Sequence, residues 1–193
     1  MPDIRYFFGW RGPAGDRVHS LPGPRSSWSS PDLRVLKVNS RHAGVDEVAF
    51  LVRVDGLVLF HGGDYQGRPA RGAATNVLED MRYLRAAAPP PDLMFLGAWT
   101  GAPYLEVIRG LQPKVLFPGH WRKREEKYLG FAEELRGLGI RVPVPCPRRR
   151  GDAFRYRGGK VEVEAAASSG AGLPPRTLPP AGGRARGAAP DPA

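Results

Sequence analysis

The sequence predicts a mixed α/β fold, a mixed sheet with flanking helices, from three observations. The alternating apolar runs VAFLVRV (48–54) and LVLFH (57–61) are separated by Asp55-Gly56, a dipeptide typical of two-residue hairpin turns. From Thr75 the apolar residues recur at helical spacing. Short buried strands and helical segments then alternate. This order predicts an α/β layer whose strands deliver residues to one edge of the sheet.

The elements around the hairpin have their own signals. LRVLKV (33–38) alternates and predicts a strand before the hairpin. The helix after Thr75 ends at the proline run 89–91, since proline lacks a backbone N–H. Its apolar face is predicted to contain Val77, Leu78, Met81, Leu84 and Ala88. Two buried strands, 92–98 and 114–117, enclose a short helix at 103–111.

The last third of the chain predicts one more helix and several edge strands. The helix carries spaced apolar residues, namely Tyr128, Phe131, Leu135 and Leu138. Terminal edge strands are expected at 142–145, 153–157 and 160–164. We therefore expect a loop-rich segment over residues 1–30, a folded unit over 31–164 and a disordered Ala/Gly/Pro/Arg tail over 165–193. The tail contains almost no core-forming residues that could offset the entropy of ordering.

Composition limits the class of protein. Hydrophobic residues make up 41% and charged residues 25%, the balance of a water-soluble globular chain rather than a membrane protein. No apolar run approaches the roughly 18–20 residues that cross a bilayer. The N-terminus does not resemble a signal peptide. The single Cys146 excludes an internal disulfide, so we expect a cytoplasmic protein.

The net charge of +10 raises the question of a nucleic-acid partner. Arginine accounts for 24 of the 29 basic residues, and glycine, proline and alanine are abundant, which is typical of a GC-rich genome. The basic runs at 122–124 and 148–150 lack the interleaved aromatic residues of a base-stacking surface. A nucleic-acid partner is therefore not favoured, although the charge is compatible with an anionic small-molecule substrate.

Three residues with metal-ligand chemistry lie at strand ends. His42 precedes the run 48–54, Asp64 follows Gly62-Gly63 after the hairpin, and His120 closes FPGH after the strand 114–117. Imidazole and carboxylate groups are ligands that zinc prefers. Taken singly, Asp64 has an alternative role as a turn residue that binds backbone N–H groups, and each histidine as a surface-loop residue. Their shared position at strand ends favours a metal site.

Two further residues are candidates for the surroundings of this site. His61 lies three residues before Asp64, and we favour a structural or second-shell role over ligation. Trp99, in GAWTGAP, either lines a substrate cleft or packs in the core, and packing is the more common use of an indole.

The pieces VNSRHAG, LVLFHGGD and VLFPGH together resemble the metallo-beta-lactamase fold superfamily, in particular its lactonase-like branch. The resemblance covers about residues 31–164 and corresponds to the C-terminal half of the αββα sandwich. It implies a partial sandwich with a site for one or two metal ions, usually zinc. Asp64 would bridge the metals as the catalytic centre's carboxylate, and His42 and His120 would each bind a metal.

The motif His-x-His-x-Asp-His of that family does not occur in the 193 residues. Three interpretations follow: a truncated reading frame of a complete hydrolase, a half-domain that pairs with another chain or with itself, and a non-catalytic remnant. A half-sandwich is expected to leave one apolar sheet face uncovered.

The resemblance predicts a metal-dependent hydrolase that cleaves an ester, lactone or phosphoester with metal-activated water. Since half of the ligands are missing, the chain alone is expected to be inactive. The alternatives are a non-catalytic remnant and a basic nucleic-acid-binding module. Substrate, metal identity and oligomeric state are not encoded in these motifs.

Overall fold

The described part of the chain is an α/β layer. A computed structural model describes residues 23–42, 45–63, 77–121, 126–148 and 152–164, with the single positions Leu21, Tyr65 and Arg124; the side chains of residues 40–46 and 164 lie outside this description. In chain order the elements are β1 (Arg25–Ser29), β2 (Leu33–His42), β3 (Val45–Val54), β4 (Leu57–His61), α1 (Val77–Ala87), β5 (Leu93–Gly97), α2 (Ala102–Leu111), β6 (Val115–Gly119), α3 (Glu126–Gly137), β7 (Ala153–Arg157) and β8 (Lys160–Glu164).

Strands β1 to β6 form one mixed sheet in sequence order. β1, β2, β3 and β4 pair antiparallel with their neighbours, whereas β4, β5 and β6 pair in parallel. The parallel pairs need crossover connections, which α1 and α2 supply. Because two antiparallel steps separate β2 from β4, the strands β2, β4, β5 and β6 all run in the same direction.

The predicted hairpin is confirmed. β3 and β4 pair from Val54↔Leu57 to Phe50↔His61. Asp55 and Gly56 both have positive φ, 51° and 75°, as a type I′ turn requires. Aspartate and glycine are among the residues that adopt this conformation at low cost, so the local sequence determines the turn.

One face of the sheet carries the core. A row of directly paired residues crosses β2 to β6, and all of its members are at most 1% exposed: Leu36, Leu51, Phe60, Met94 and Leu116. The apolar faces of α1, α2 and α3 contribute to the same cluster through residues such as Leu84, Leu111 and Leu135. All three helices therefore lie on this face; for α1 and α2 this is expected of consecutive right-handed crossovers that advance in one direction. None of these helices has the length and apolarity of a membrane span.

The opposite sheet face is also apolar, but it is only half-buried. One row across β2 to β6 consists of Val35, Val52, Leu59, Leu93 and Val115, and the next row consists of Lys37, Phe50, His61, Phe95 and Phe117. The residues of the first row other than Val115 are half-buried, and Phe95 is 38% exposed. We call these two rows the open face.

Two described segments lie over the margins of the open face. The β7–β8 hairpin reaches the β6 side, where the rings of Phe117 and Phe154 have centroids 5.5 Å apart. At the β2 side, Lys37 Nζ donates hydrogen bonds to the carbonyl oxygens of Leu21 and Gly23. The centre of the face, at β3, β4 and β5, is contacted by no described helix.

The structure corrects the predicted loop at the N-terminal side. Residues 25–29 lie in the segment 1–30 that was predicted to be loop, but they form β1, which pairs antiparallel with β2. The serine-rich sequence has little intrinsic strand preference, so the pairing with β2 decides the conformation. Arg25 also forms ion pairs with Glu79 and Asp80 of α1 at 3.0 and 2.7 Å. Residues 1–20 and the predicted disordered tail 165–193 lie outside the described residues.

Two predictions for the C-terminal strands were wrong. Residues 142–145 form no strand, because Pro143 and Pro145 lack the N–H groups of a ladder. Pro143 nevertheless accepts a hydrogen bond from the N–H of Leu116 in β6. β7 and β8 pair only with each other, as a separate two-stranded sheet, rather than as edge strands of the main sheet.

Two predicted helix-face residues are exposed. Leu78 and Leu138 are 47% and 45% exposed, whereas Asp80 of α1 is only 2% exposed. Asp80 faces the sheet because it pairs with Arg25 of β1, a tertiary contact that helical spacing does not reveal. Burial raises the pKa of the Asp80 carboxyl, and the Arg25 guanidinium partly offsets this effect.

Asp92 connects three strands at the end of the sheet where β4, β5 and β6 begin. Its Oδ2 accepts the N–H of Val58, and its Oδ1 accepts hydrogen bonds from Lys114 Nζ and Tyr156 OH at 2.7 and 3.1 Å. Burial raises the pKa of this carboxyl, but the hydrogen bonds from Lys114, Val58 and Tyr156 outweigh it and hold the pKa below 3.8. The charged form is thus favoured in the fold.

We predict that Asp92→Ala lowers the free energy of unfolding by about 2 kcal/mol at pH 7, because it leaves the buried N–H of Val58 without its acceptor. Urea unfolding measures this loss. Since the pKa of Asp92 is depressed in the fold, its contribution is present above the unfolded pKa of about 3.9 and disappears as the pH falls further. Exposed Asp32→Ala is the control; an equal loss in both variants would contradict this role for Asp92.

The open face is predicted to bind an apolar dye. Phe95→Ser should lower the fluorescence of bound 1-anilinonaphthalene-8-sulfonate by roughly half, because it interrupts a continuous apolar patch. Leu129, which is 50% exposed on α3, is a matched control, since Leu129→Ser removes an exposed leucine outside the patch. Equal effects of the two substitutions would show that the dye does not recognise the open face.

Candidate functional site

The ends of β2, β4, β5 and β6 lie at one edge of the sheet. Because these strands share a direction, their last residues, His42, His61, Gly97 and Gly119, all approach this edge. Asp64 follows β4 by three positions, and His120 directly follows β6. The strand directions are those that the expected common edge requires, but position 64 and the side chain of His42 lie outside the described residues.

His42 is the last residue of β2 and pairs with Val45 across a tight connection. β4 ends at His61, which lies in one row with Phe50 of β3 and Lys37 of β2. Beyond this row, β2 continues for five residues to His42. The β2–β3 hairpin thus extends past the end of β4 by about 17 Å at 3.3–3.4 Å per residue. The backbone of position 42 therefore lies well beyond the end of β4 on the same side of the sheet, and its side chain is among those not described.

Three strands, β3, β4 and β5, separate β2 from β6 in the sheet order. With about 4.8 Å between neighbouring strands, β2 and β6 are about 19 Å apart across a flat sheet. Positions 42 and 120 therefore follow strands of the same direction, but these strands are not adjacent. Their approach depends on how the long β2–β3 hairpin curves over the edge.

Asp64 lies outside the described residues, but both of its neighbours are described. The N–H of Gly62 bonds to the carbonyl of Phe95, and the N–H of Tyr65 bonds to the carbonyl of Gly62 at 3.0 Å. A Cβ at Gly62 would meet Leu96 at 2.4 Å, so β4 approaches β5 closely at this point. Tyr65 is only 1% exposed. The chain on both sides of position 64 is therefore held at the ends of β4 and β5.

His120 has an exposed side chain and a left-handed backbone with φ of 85°. This conformation is uncommon for a residue other than glycine and is worth a functional explanation. The imidazole centroid lies 4.4 Å from the ring of Trp99 and 5.9 Å from the ring of Trp121. Aromatic contacts thus support His120 where the chain leaves β6.

Trp99 packs on the core, which is one of the two roles considered for it. Its half-buried ring contacts the core through Tyr104, with centroids 5.2 Å apart, and reaches His120 on the other side. A Cβ on Gly97 would lie 1.8 Å from this indole, so only glycine leaves room for it. Trp99 therefore packs on the core and supports the proposed ligand.

His61 is exposed, and its side chain is engaged locally. Its Nδ1 accepts the N–H of Gly63 at 3.1 Å, and its ring stacks on Phe95 with centroids 6.3 Å apart. His61 lies in a row of the open face together with Phe95. These contacts are typical of a histidine that orders the turn before position 64.

The sequence analysis did not single out Trp121, which directly follows His120. Its Nε1 donates to the carbonyl of Ala98, and its own carbonyl accepts a hydrogen bond from the Tyr128 hydroxyl. These bonds connect the exit of β5, the exit of β6 and α3. Its position directly after His120 in the sequence was the available signal.

Comparison with known proteins does not assign the chain: no protein-family model matches it, and no curated protein matches it. Within the described residues, no three His, Cys, Asp or Glu side chains form a metal-binding group. Of the three proposed ligands, only His120 has a side chain in the described part of the chain. An exposed imidazole at a strand exit nevertheless fits the nitrogen chemistry of a zinc ligand.

We predict that Gly97→Ala displaces Trp99 and with it His120, because the added methyl group would overlap the indole. The near-ultraviolet circular dichroism of the tryptophans should change, and the free energy of unfolding should fall by about 1–3 kcal/mol. Gly137→Ala is the control, since no atom lies within 4 Å of its added Cβ. An unchanged aromatic spectrum in Gly97→Ala would contradict the packing role of Trp99.

Proposed function

We propose that this chain contributes the C-terminal half of the active site of a metallo-beta-lactamase-fold hydrolase. The observation that carries the proposal is the common direction of β2, β4, β5 and β6, since His42 ends β2, Asp64 follows β4 and His120 follows β6 in the sequence. Three strand exits with two imidazoles and one carboxylate provide the donor types of a zinc site. The substrate class is an ester, lactone or phosphoester.

His42, Asp64 and His120 would hold the metal, and Asp64 would be the shared ligand. Bound zinc would supply a water molecule of lowered pKa, the nucleophile of such hydrolases. The chain itself would orient these groups. Trp99 and Trp121 support His120, and Gly62 and Tyr65 hold the chain on both sides of Asp64.

The strand spacing favours two ions over one. Three strands lie between β2 and β6, so histidines from these strands are difficult to bring to a single ion. A pair of ions bridged by a carboxylate spans a longer distance than one ion does. Asp64 follows β4 in the sequence, and β4 lies midway between β2 and β6 in the sheet order, so Asp64 would be the shared ligand.

Such a site needs more ligands than this chain contains. With Asp64 shared, each metal would have two protein ligands from the chain, whereas catalytic zinc commonly has three. We propose that the remaining ligands come from a complementary half-domain or a second copy that docks on the open face. This face is mostly apolar, and its central residues are half-buried or exposed, as expected for a surface that packs against another sheet.

The alternative of a nucleic-acid-binding module is less well supported by the open face. Its rings stand beside one another, with Phe95 and Phe117 stacked at 5.5 Å and an interplanar angle of 16°. Their faces are therefore turned toward each other and not toward incoming bases. Single-stranded nucleic acid stacks on exposed ring faces, so this arrangement suits an apolar layer better.

Zinc titration tests the proposal. The metal-free chain should bind zinc weakly, and His42→Ala, Asp64→Ala and His120→Ala should each weaken the binding by at least about tenfold, since each removes a direct ligand. Isothermal titration calorimetry measures the affinity. His19→Ala is the matched control, because it removes a histidine outside the three proposed positions.

The non-catalytic alternative makes the opposite prediction. If zinc affinity were the same in the wild type, His42→Ala and His120→Ala, the residues would not form a metal site and the hydrolase proposal would be wrong. Hydrolysis of generic esters by the chain alone is expected to be negligible, because the site is incomplete. Robust turnover by the isolated chain would contradict the half-site proposal.

A further inference from the structure

Two cations lie on the indole ring next to His120. The guanidinium carbon of Arg124 is 5.5 Å from the ring centroid of Trp121, and Lys127 Nζ is 5.8 Å from it. These distances are within the range of cation–π attraction. The His120 ring meets the same indole edge-on at 5.9 Å. The cations are therefore separated from the proposed metal ligand by one aromatic ring.

The indole that attracts these cations is itself fixed. Trp121 Nε1 donates to the carbonyl of Ala98 at 3.2 Å, and Tyr128 OH donates to the carbonyl of Trp121 at 2.9 Å. The N–H of Lys127 bonds to the carbonyl of Arg124, which joins both cations to the first turn of α3. Long cationic side chains usually lose conformational entropy when they bind an anion, and prior positioning lowers that cost.

Local acids neutralise only part of this charge. Arg124 forms an exposed ion pair with Glu126 at 3.3 Å. Lys127 has no carboxylate partner within 4 Å in the described part of the chain. Over residues 122–127 the sequence is RKREEK, with four cations and two acids. The start of α3 adds the partial positive charge of a helix N-terminus.

We propose that Arg124 and Lys127 determine specificity by binding the oxyanion of a phosphate-bearing ester beside His120. The inference rests on the proposed function, because it places the substrate's charged group next to the metal edge. Both side chains are exposed, so they can reach a ligand without a conformational change in the core. The adjacent aromatic rings leave an apolar surface for the uncharged part of such a ligand.

Binding of phenyl phosphate to the metal-free chain tests this role separately from metal binding. Calorimetry in the presence of a chelator should give a measurable affinity for phenyl phosphate and for inorganic phosphate, a weaker affinity for benzoate and none for phenol. The double variant Arg124→Gln/Lys127→Gln should weaken phenyl phosphate binding by roughly fivefold to tenfold, the effect of two exposed charge contacts. The affinity should also fall as salt is added.

The charge-matched control is Arg109→Gln/Arg141→Gln. These two arginines line an open cavity of about 540 Å³ at the opposite end of the sheet, together with Lys114. The control should keep the wild-type affinity. Equal weakening in both double variants would show that phosphate responds only to net charge, and weakening in the control alone would assign the anion to that cavity; either result overturns the proposal.

Zinc titration of the same variants distinguishes this proposal from the hydrolase proposal. Arg124→Gln/Lys127→Gln should keep the zinc affinity of the wild type, because His42, Asp64 and His120 are unchanged. If zinc binding to the three ligands fails while phosphate binding depends on Arg124 and Lys127, the hydrolase proposal fails and the anion site stands. If phosphate binding is unaffected by the substitution while zinc binds as expected, the anion site alone is wrong.

Discussion

The hydrogen-bonded pairing of β4, β5 and β6 in parallel is the constraint on which the described structure depends. Parallel strands cannot be joined by tight turns, so α1 and α2 must cross over between them, and both cross on the same face. That face receives all three helices and becomes the core around Leu36, Phe60 and Met94. In the described part of the chain, the opposite face carries no helix. The C-terminal ends of β2, β4, β5 and β6 all point toward the same end of the sheet.

These two consequences explain why the proposed site and the open face occur together. In the proposed site, His42, Asp64 and His120 would supply metal ligands, but too few for a complete dinuclear site. A half-buried apolar face offers a docking surface of the kind that sheets use to pack on each other. A partner on this face would cover the apolar rows and could add ligands at the adjoining edge. The aromatic cluster of Trp99 and Trp121 holds His120 on the side of the helices.

The helices and the hairpin could be predicted from the sequence, since their signals are local. Asp55-Gly56 specifies a type I′ turn whatever lies around it, and the apolar spacing from Val77 to Leu84 specifies a helix. β1 could not be predicted in this way, because its serines become a strand only by pairing with β2. The burial of Asp80 likewise follows from its partner Arg25, which is 55 positions away in the chain.

For the candidate site, the sequence alone determined which chemical groups are available at strand ends: two imidazoles, one carboxylate and a tryptophan after β5. Only the tertiary structure decided their arrangement, because strand direction and strand order arise from pairing between distant segments. It put positions 42 and 120 after strands of the same direction with three other strands between them, and it brought Arg124 and Lys127 onto Trp121 beside His120. Residue identity is local information, whereas the relative position of residues depends on the packing of the whole sheet.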